Sequence, residues 1–388
     1  MSTPYFSSDF KLGILGGGQL GKMLLYETRK WDVYTRVMDP SAEAPSRLAC
    51  NEFVQADLLD FDAVYQFGQG LDLLTIEIEN VNLDALEKLE DEGLKVFPPT
   101  RNLRTIQNKA TQKLFYTDQG LPTSPFTRFA YTSEIKDSLQ NGGVQLPFVW
   151  KSASMGYDGR GVKVVRKAED LEGLPNVECI AEELVDFKSE LAVVVARNPS
   201  GQVANYPVVE MEFHPEANQV EFVICPANID AKIAKKAQEL ALKVSEAYQH
   251  VGLLAVEMFL TQEDEVLVNE VAPRPHNSGH FSIEGSFTNQ FEQHLRAILD
   301  LPLGYTGSKA YAIMVNLVGE PEEEGDVEYK HLDKVLQLEG VTPHLYGKKQ
   351  TRPFRKMGHV TIVNRDYAKA MEIARKVTGT VKVVSRKK

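Results

Sequence analysis

The sequence predicts an α/β fold divided into several domains, and three observations support this prediction. From residue 11 to about residue 98, strand-like and helix-like segments alternate, as a parallel sheet with crossover helices requires. From about residue 120, short β-type runs alternate with glycine-rich turns, and a long amphipathic helix follows them. The chain has 388 residues, of which 43% are hydrophobic and 25% are charged, so it can build more than one core.

The first alternating segment begins with KLGILGGGQLGKML at residues 11–24. KLGIL predicts a buried strand, a helix is predicted from Gln19 to Arg29, and the glycines between them fit G-x-G-x-x-G. Such glycines let helix N-terminal amides approach a pyrophosphate, and Asp39 ends the next apolar run, so the spacing is typical of a dinucleotide site. It is equally typical of a strand-to-helix turn in any α/β domain. The motif alone leaves both interpretations open.

Prolines and apolar spacing divide the rest of the chain. Pro98 and Pro99 end the first alternation, one helix is predicted from Thr105 to Gln119, and a longer one from Asn228 to Gln249. The strand-like runs LLAVEMFL and EVLVNEV follow this helix. The predicted domains are 1–104, 105–304 with a division near residue 180, and 305–388.

Charge and composition exclude several classes of function. The net charge of -11 argues against a broad nucleic-acid or membrane-binding surface, so any anion site must be local. The 3 cysteines are far apart and form no C-x-x-C pair, which indicates neither a disulfide framework nor a zinc site. No run of about 18 apolar residues predicts a membrane span, and the first ten residues have no secretory pattern. We therefore expect a cytoplasmic protein.

The two strand-like runs LLAVEMFL and EVLVNEV predict a hairpin with a metal site. If they pair about a turn centred between Glu263 and Asp264, Glu257 and Glu270 lie directly opposite each other. Like charges about 5 Å apart repel, so a cation is expected between them, and two carboxylates plus substrate phosphates suit Mg²⁺. Asn269 can add an oxygen only if the strand ends or bulges there. The alternative is a solvated strand face with two exposed glutamates.

A second glycine-rich loop, SMGYDGRGV, follows Lys151. Its glycines let the backbone approach a ligand, but no G-K-[ST] opens a helix, so it is not a Walker A loop. A glycine lid over a triphosphate, with the lysine on the flanking strand, is one interpretation, and an ordinary glycine hairpin is the other.

Two further segments suggest where a nucleotide and a phosphorylated substrate bind. EELV at residues 182–185, with Glu190 soon after, predicts a strand edge for adenine and a carboxylate for ribose hydroxyls. GKKQTRPFRKMGH at 347–359 concentrates basic residues in an otherwise acidic chain, and arginine forks bind phosphate in bidentate fashion. The alternative for this second segment is a solubilising turn.

In their order and separation, these motifs resemble the ATP-grasp superfamily and, within it, the 5-(carboxyamino)imidazole ribonucleotide synthetase family. The resemblance runs from about residue 11 to 360 and is carried by GILGGGQLGKM, IEIENV, GYDGRG, LAVEMF, VLVNEVAPRPHNSGH and RPFRKMGH. It implies an ATP-grasp fold of two α+β subdomains, preceded by a Rossmann-like domain and followed by a small β-rich domain.

The resemblance also implies a role for each matching residue. Mg²⁺ would be held by Glu257 and Glu270. ATP would be bound by Lys109, Lys151, Gly156, Tyr157, Asp158, Gly159, Arg160, Gly161, Val162, Glu182, Glu183, Leu184, Val185, Glu190, His214, Asn269 and Glu270. The ribonucleotide would be bound by Gln19, Leu20, Glu77, Asn277, Lys348, Arg352 and Arg355. Arg274 would stabilise the anionic intermediate, and His276 and Asp158 would handle protons or orient the amine.

The reaction implied is the ATP-dependent carboxylation of 5-aminoimidazole ribonucleotide by bicarbonate, through carboxyphosphate, in purine (IMP) biosynthesis. A homodimer is implied as well. Three departures from the family pattern stand out: Lys109 replaces a frequent arginine, Met155 replaces a glycine, and the basic segment is one residue longer. The last departure leaves Lys348 and Lys349 hard to tell apart as substrate ligands.

Other functions make different demands on the sequence. A formate-dependent glycinamide ribonucleotide transformylase would share the nucleotide apparatus, but NSGH and RPFRKMGH favour the carboxylating family. Biotin carboxylase is disfavoured, and there is no A-M-K-M biotin acceptor. An NAD-dependent oxidoreductase would leave the paired glutamates unexplained. A non-catalytic nucleotide-binding module would not need the complete set of metal, lid and phosphate groups.

Overall fold

The computed structural model describes residues 4–154, 161–214 and 219–386. The N-terminal part alternates strands and helices as predicted. Its elements are β1 (Lys11–Leu15), α1 (Gln19–Lys30), β2 (Tyr34–Asp39), β3 (Glu52–Gln55), α2 (Phe61–Gly68), β4 (Leu73–Ile76), α3 (Leu83–Asp91), β5 (Lys95–Phe97) and α4 (Thr100–Ile106).

The five strands of this part form a parallel sheet in the order β3-β2-β1-β4-β5. The chain runs outward from β1 in one direction and then returns to β4 on its other side. In open parallel sheets, ligands bind where the strand order reverses, beyond the carboxyl ends of the strands. This position lies after Leu15 and Ile76, where the glycine loop and Glu77 are found.

The middle of the chain begins with a smaller sheet. Its elements are α5 (Lys109–Asp118), β6 (Phe126–Phe129), α6 (Glu134–Gln140), β7 (Phe148–Ser152), β8 (Val162–Val165) and β9 (Cys179–Glu183), and the strand order is β6-β9-β7-β8. The prediction of a single helix from Thr105 to Gln119 was wrong, because α4 ends at Ile106 and a separate helix, α5, begins at Lys109. The Asn108 side chain accepts a hydrogen bond from the Thr111 amide and caps α5, so Lys109 stands at the start of a helix.

A larger sheet follows from Phe187 onward. Its first elements are β10 (Phe187–Arg197), β11 (Val203–Asn205), β12 (Val209–Phe213), β13 (Val220–Cys225), α7 (Ala231–Tyr248), β14 (Gly252–Thr261), β15 (Val266–Ala272), α8 (Ser282–Gly285) and α9 (Gln290–Ile298). The Asp230 side chain caps α7, whose apolar face packs on β10, β14 and β15 to form a core. One face of this sheet is therefore covered by α7, and the opposite face carries a second apolar cluster that includes Val194, Ala255 and Phe281.

The C-terminal part of the chain contributes strands both to this large sheet and to a separate three-stranded sheet. Its elements are β16 (Tyr311–Val318), β17 (Gly325–Lys330), α10 (Leu332–Val335), β18 (Val341–Leu345), β19 (Gln350–Thr351), β20 (Lys356–Asn364), α11 (Tyr367–Thr380) and β21 (Lys382–Ser385). The separate sheet has the strand order β19-β17-β21. The order of the large sheet is β15-β14-β10-β12-β13-β16-β20-β18, so it crosses the predicted domain boundary at residue 305 without interruption. Among the described residues, no helix has both the length and the hydropathy for crossing a bilayer.

Candidate active site

The glycine loop at the start of α1 is occupied by the chain's own carboxylates. The amides of Gly18 and Gly21 donate to the two Glu77 oxygens, each at 3.0 Å, and the Gly17 amide donates to Asp39 at 2.8 Å. At Gly16, which has φ +97°, an added Cβ would lie 2.6 Å from the Glu77 side chain. The glycines thus allow Glu77, not a pyrophosphate, to approach the helix N-terminus. This arrangement favours the strand-to-helix interpretation over a dinucleotide site.

The paired glutamates of the hairpin lie opposite each other, as predicted. β14 and β15 are antiparallel, and Glu257 is the register partner of Glu270. The predicted turn centre was wrong, because Leu260 pairs with Val266 and the turn is therefore centred on residue 263. A bulge leaves Asn269 without a register partner and restores the Glu257–Glu270 pairing. This is the bulge that Asn269 needs if it is to add an oxygen to the site.

Three carboxylates, Glu190, Glu257 and Glu270, lie on the face of the large sheet opposite α7. Glu190 on β10 is the register partner of Phe259 on β14, two residues from Glu257, so Glu190 and Glu257 point to the same side. Burial and the charge of Glu270 raise the pKa of Glu190 to about 7. Burial, Glu270 and Glu190 raise the pKa of Glu257 as well. Burial and mutual repulsion thus disfavour the ionisation of Glu190 and Glu257.

Two lysines approach this face, Lys109 from α5 and Lys151 from β7 of the smaller sheet. Lys109 Nζ lies 2.5 Å from Glu270 Oε2 and lowers the pKa of that carboxyl. Lys151 Nζ donates to Asn269 Oδ1 at 3.0 Å and lies 2.5 Å from Glu182 Oε2. The two lysines predicted to hold ATP are thus gathered beside the paired glutamates.

The prediction that EELV forms a strand edge was wrong for its first two residues. β9 lies between β6 and β7, and Glu182 and Glu183 have partners in these strands. The Glu182 side chain is buried between Lys151 and Lys113. Leu184 and Val185 follow the strand and lead into β10, so the predicted adenine contact is left to them.

Arg274 contacts the N-terminal domain, and His276 contacts the hairpin of β14 and β15. Arg274 grips Glu79 with two hydrogen bonds, Nε to Oε2 at 2.5 Å and Nη2 to Oε1 at 3.0 Å. Burial alone would raise the pKa of Glu79, but the Arg274 guanidinium lowers it. His276 Nδ1 lies 3.4 Å from Glu257 Oε1 and 2.9 Å from the Ser278 hydroxyl. Burial and the nearby charges of Arg274 and Lys356 lower the pKa of His276 to about 3, so its imidazole is neutral at pH 7.

The start of the basic segment lies beside α1, and its two adjacent lysines, Lys348 and Lys349, differ in exposure. Lys22 of α1 donates to the Leu345 carbonyl at 2.9 Å. The half-buried Lys348 reaches the Lys356 carbonyl at 2.8 Å, and its ammonium lies 5.5 Å from the centroid of the Tyr346 ring. Lys349 is exposed, and its carbonyl accepts from the Val327 amide on β17.

The other predicted residues of this region have specific neighbours. Arg355 Nη1 donates to the Gln350 carbonyl at 2.7 Å, and Arg352 is exposed. Asn277 exchanges two amide hydrogen bonds with Asn316 of β16, at 2.9 and 3.0 Å. The His214 ring lies 6.2 Å from that of Phe354. Gln19 and Leu20 form the first turn of α1, above Glu77.

Part of the predicted glycine lid can be placed. The Ser152 amide donates to the carbonyl of Gly161, which has φ +72°, and Val162 opens β8 as the register partner of Lys151. The predicted lid segment therefore connects the two paired strands β7 and β8 next to Lys151. Gly156, Tyr157, Asp158, Gly159 and Arg160 lie outside the described residues.

Comparison with known proteins agrees with this architecture. Family models match all three parts of the chain: the ribonucleotide synthetase preATP-grasp domain at residues 10–107, the ATP-grasp domain at 114–291, and the phosphoribosylaminoimidazole carboxylase C-terminal domain at 312–373. The N5-carboxyaminoimidazole ribonucleotide synthase of Bacillus subtilis is 37% identical over 360 residues, which are 91% of each chain. The chain belongs to this family.

Solved structures of the family have the same fold. The synthetase from Thermotoga maritima is 41% identical, with a TM-score of 0.87 over 97% of this chain and 100% of that one. The synthase from Aspergillus clavatus, solved with ADP and 5-aminoimidazole ribonucleotide, is 32% identical, with a TM-score of 0.87 over 96% and 98%. The Saccharomyces cerevisiae phosphoribosylaminoimidazole carboxylase is 35% identical, and the match covers 95% of this chain but 66% of that protein.

The side chains of the site suit the magnesium ion that the family implies. Within the described ranges, no group of three or more His, Cys, Asp and Glu side chains is arranged for a metal. Glu257 and Glu270 are instead two facing carboxylates, and burial together with the charge of Glu270 raises the pKa of Glu257, a repulsion that a bound cation would relieve. Mg²⁺ prefers this incomplete oxygen set because substrate phosphates and water complete its coordination.

Several residues of the site were missed by sequence reasoning. Glu79 stands two residues after Glu77 and Lys113 one helical turn after Lys109, so spacing alone offered a signal for both. Lys356 was noted only as part of the basic segment, yet its charge influences Glu257 and His276. Asn316 gave no signal, because its partner Asn277 is 39 residues away.

Proposed function

We propose that this ATP-grasp ligase carboxylates 5-aminoimidazole ribonucleotide with bicarbonate and ATP, releasing N5-carboxyaminoimidazole ribonucleotide, ADP and phosphate. One observation supports the proposal most directly: polar side chains of the N-terminal domain and of the central domain lie next to each other around the paired glutamates. Glu79 pairs with Arg274, and His276 lies against Glu257. Glu257 faces Glu270 across the hairpin, and Glu270 pairs with Lys109. Groups for a nucleotide, for an anionic intermediate and for a ribonucleotide thereby meet in one site.

The nucleotide end of the site consists of Lys109, Lys151, Asn269 and the paired glutamates. Glu257 and Glu270 would hold Mg²⁺, which when bound neutralises the β- and γ-phosphates of ATP. The two lysines would contact the phosphates, and Glu190 would accept bonds from the ribose hydroxyls. Bicarbonate then attacks the γ-phosphorus in line, the bond to the β-phosphate oxygen breaks, and ADP and carboxyphosphate form.

The second step transfers the carboxyl group to the exocyclic amine of the ribonucleotide. The amine nitrogen attacks the carboxyl carbon, or the CO₂ released from it, while phosphate leaves and the nitrogen loses a proton. Arg274, held by Glu79, is oriented to stabilise the anionic intermediate. His276 would orient the amine through its neutral imidazole, because a pKa lowered to about 3 makes it a weak base, and Asp158 is assigned to proton handling or amine orientation on sequence grounds.

The substrate end would be formed by Gln19, Leu20 and the basic segment. Lys22 of α1 bonds to the Leu345 carbonyl, two residues before the basic segment, and so brings the start of this segment close to the glycine loop. A homodimer and a cytoplasmic location belong to the proposal through family membership, and sedimentation of the purified protein tests the first of these.

The proposed function is tested by ADP release in the presence of Mg²⁺, ATP and bicarbonate, with and without 5-aminoimidazole ribonucleotide. We expect the ribonucleotide to stimulate release and an acid-labile carboxylated product to form. Formate with glycinamide ribonucleotide serves as the parallel assay. Activity with that pair alone would overturn the choice of substrate and leave the nucleotide site intact.

The structure also predicts which lysine of the basic segment binds the ribonucleotide phosphate. Lys348→Ala should raise KM for the ribonucleotide by about 10- to 100-fold, because a charge-assisted hydrogen bond is worth about 1.5–3 kcal/mol. Lys349→Ala removes the same charge one residue further on, where the side chain is exposed, and should change KM less than about 2-fold. Steady-state kinetics at saturating ATP measures both, and equal effects would contradict the assignment.

A further inference from the structure

The nucleotide lysines belong to a buried ionic cluster that extends beyond the proposed ATP contacts. Lys109 and Lys113 lie one turn apart on α5, and each faces a carboxylate: Lys109 faces Glu270, and Lys113 faces Glu182. The side chains of Lys113 and Glu182 are 3% and 2% exposed, so neither reaches solvent or a ligand. Lys113 is therefore a charged group that the proposed mechanism does not use.

Glu182 is held from two sides. Oε2 pairs with Lys151 at 2.5 Å, and Oε1 pairs with Lys113 and accepts from the Ser124 hydroxyl at 2.6 Å. Lys113 also donates to Thr123 at 2.6 Å and Ser124 at 2.9 Å, which fixes its position. Burial alone would raise the pKa of Glu182, but the two lysines lower it to about 2. Glu182 is thus ionised at neutral pH.

Lys151 has two competing tasks. Its ammonium is shared between Glu182 and Asn269. Contact with a triphosphate requires part of that charge to move away from Glu182. A buried carboxylate left without a counter-ion costs several kcal/mol, so this movement is unfavourable unless another cation stays with Glu182.

We propose that Lys113 is a positioning residue for ATP binding: it remains paired with Glu182 and so allows Lys151 to turn its charge toward the phosphates. This inference rests on the proposed function, since it assumes that Lys151 binds ATP. In this view α5 supplies a counter-ion to each of the two carboxylates: Lys109 pairs with Glu270, and Lys113 pairs with Glu182. Without Lys113, Glu182 would retain Lys151, and the triphosphate would lose a ligand.

The test is ATP binding measured by titration calorimetry with Mg²⁺ and without bicarbonate, beside binding of the ribonucleotide. Lys113→Met should weaken ATP binding by about 10-fold or more and leave ribonucleotide binding within about 2-fold. Lys235→Met is the matched control, because Lys235 forms an exposed ion pair with Glu239 on α7, and it should change neither affinity.

The double variant Lys113→Met/Glu182→Gln separates positioning from structural damage. With the carboxylate neutralised, Lys151 is no longer retained, so the double variant should recover most of the lost ATP affinity. If Lys113→Met does not fold, Ser124→Ala removes one hydrogen bond from Glu182 and should weaken ATP binding a few-fold in the same direction.

Three results have different meanings. Unchanged ATP affinity in Lys113→Met, or in Ser124→Ala if the first variant does not fold, would overturn the inference. Failure of the double variant to bind ATP better than Lys113→Met would also overturn it. If the folded wild-type protein bound no ATP, the proposed function itself would fail, and that result is distinguishable from the other two.

Discussion

Glu257→Gln is expected to lower kcat for ADP release by about 100- to 1,000-fold, because one of the two carboxylates that face the metal position loses its charge. Its partner Glu270 remains paired with Lys109 and cannot replace it. We also expect the Mg²⁺ concentration for half-maximal activity to rise. Coupled-enzyme assays over a magnesium series measure both quantities.

The matched control for this variant is Glu265→Gln, in the turn of the same hairpin. Glu265 is exposed and its backbone carbonyl accepts from Thr261, so the substitution removes the same charge and keeps the turn. Its activity should remain within about 2-fold of wild type, as for other surface changes. An equal loss of activity in both variants would indicate that the substitutions disturb the hairpin itself, which would contradict a role of Glu257 in metal binding.

The same substitution should change the pH dependence of stability in the metal-free protein. The folded pKa of Glu257 is raised from 4.5, so the wild-type protein binds more protons folded than unfolded above that pH. This contribution to the free energy of unfolding is complete below pH 4.5 and is lost as the pH rises through the folded pKa. Glu257→Gln lacks it, so its stability relative to wild type should increase with pH. Urea unfolding at several pH values measures the trend.

Local patterns in the sequence predicted the elements and one nonlocal pair. The alternation of strands and helices, the capped helix α7 and the opposition of Glu257 and Glu270 all follow from periodicity and turn position. The bulge at Asn269 did not follow from them, because a bulge depends on side-chain contacts across strands. The turn centre was misplaced for that reason, and the pairing was correct only because the bulge offset the error.

The rest of the site could not be predicted from the sequence, because it depends on contacts between residues that are far apart along the chain. The edge predicted for EELV required knowing that β6 pairs with β9, and the two strands are about 50 residues apart. The Arg274–Glu79 ion pair spans 195 residues and two domains, so no spacing rule points to it. By contrast, the break before Lys109 had a local signal in Asn108, a favoured N-cap residue, that the apolar pattern concealed.

The largest effect on stability is expected at Glu182. Glu182→Gln should lower the free energy of unfolding by about 3–5 kcal/mol, because it leaves Lys113 and Lys151 close together in a buried site without their shared counter-ion. Burial already lowers the pKa of Lys113 to about 8 even with Glu182 present. Without the carboxylate, Lys113 must either lose its proton at neutral pH or remain charged and unpaired, and both outcomes cost free energy.

The pH dependence identifies the cause of this loss. The pKa of Glu182 is lowered from 4.5 to about 2, so its contribution to stability is present above pH 4.5 and is lost as the pH falls through 2. The difference between wild type and Glu182→Gln should therefore be largest near neutral pH and shrink under acid. Glu87→Gln, which removes a charge from an exposed pair with Arg104, should cost less than about 1 kcal/mol at any pH. Urea unfolding of the three proteins between pH 3 and pH 7 measures this, and a loss that is the same at both ends would indicate a packing defect instead of a missing charge.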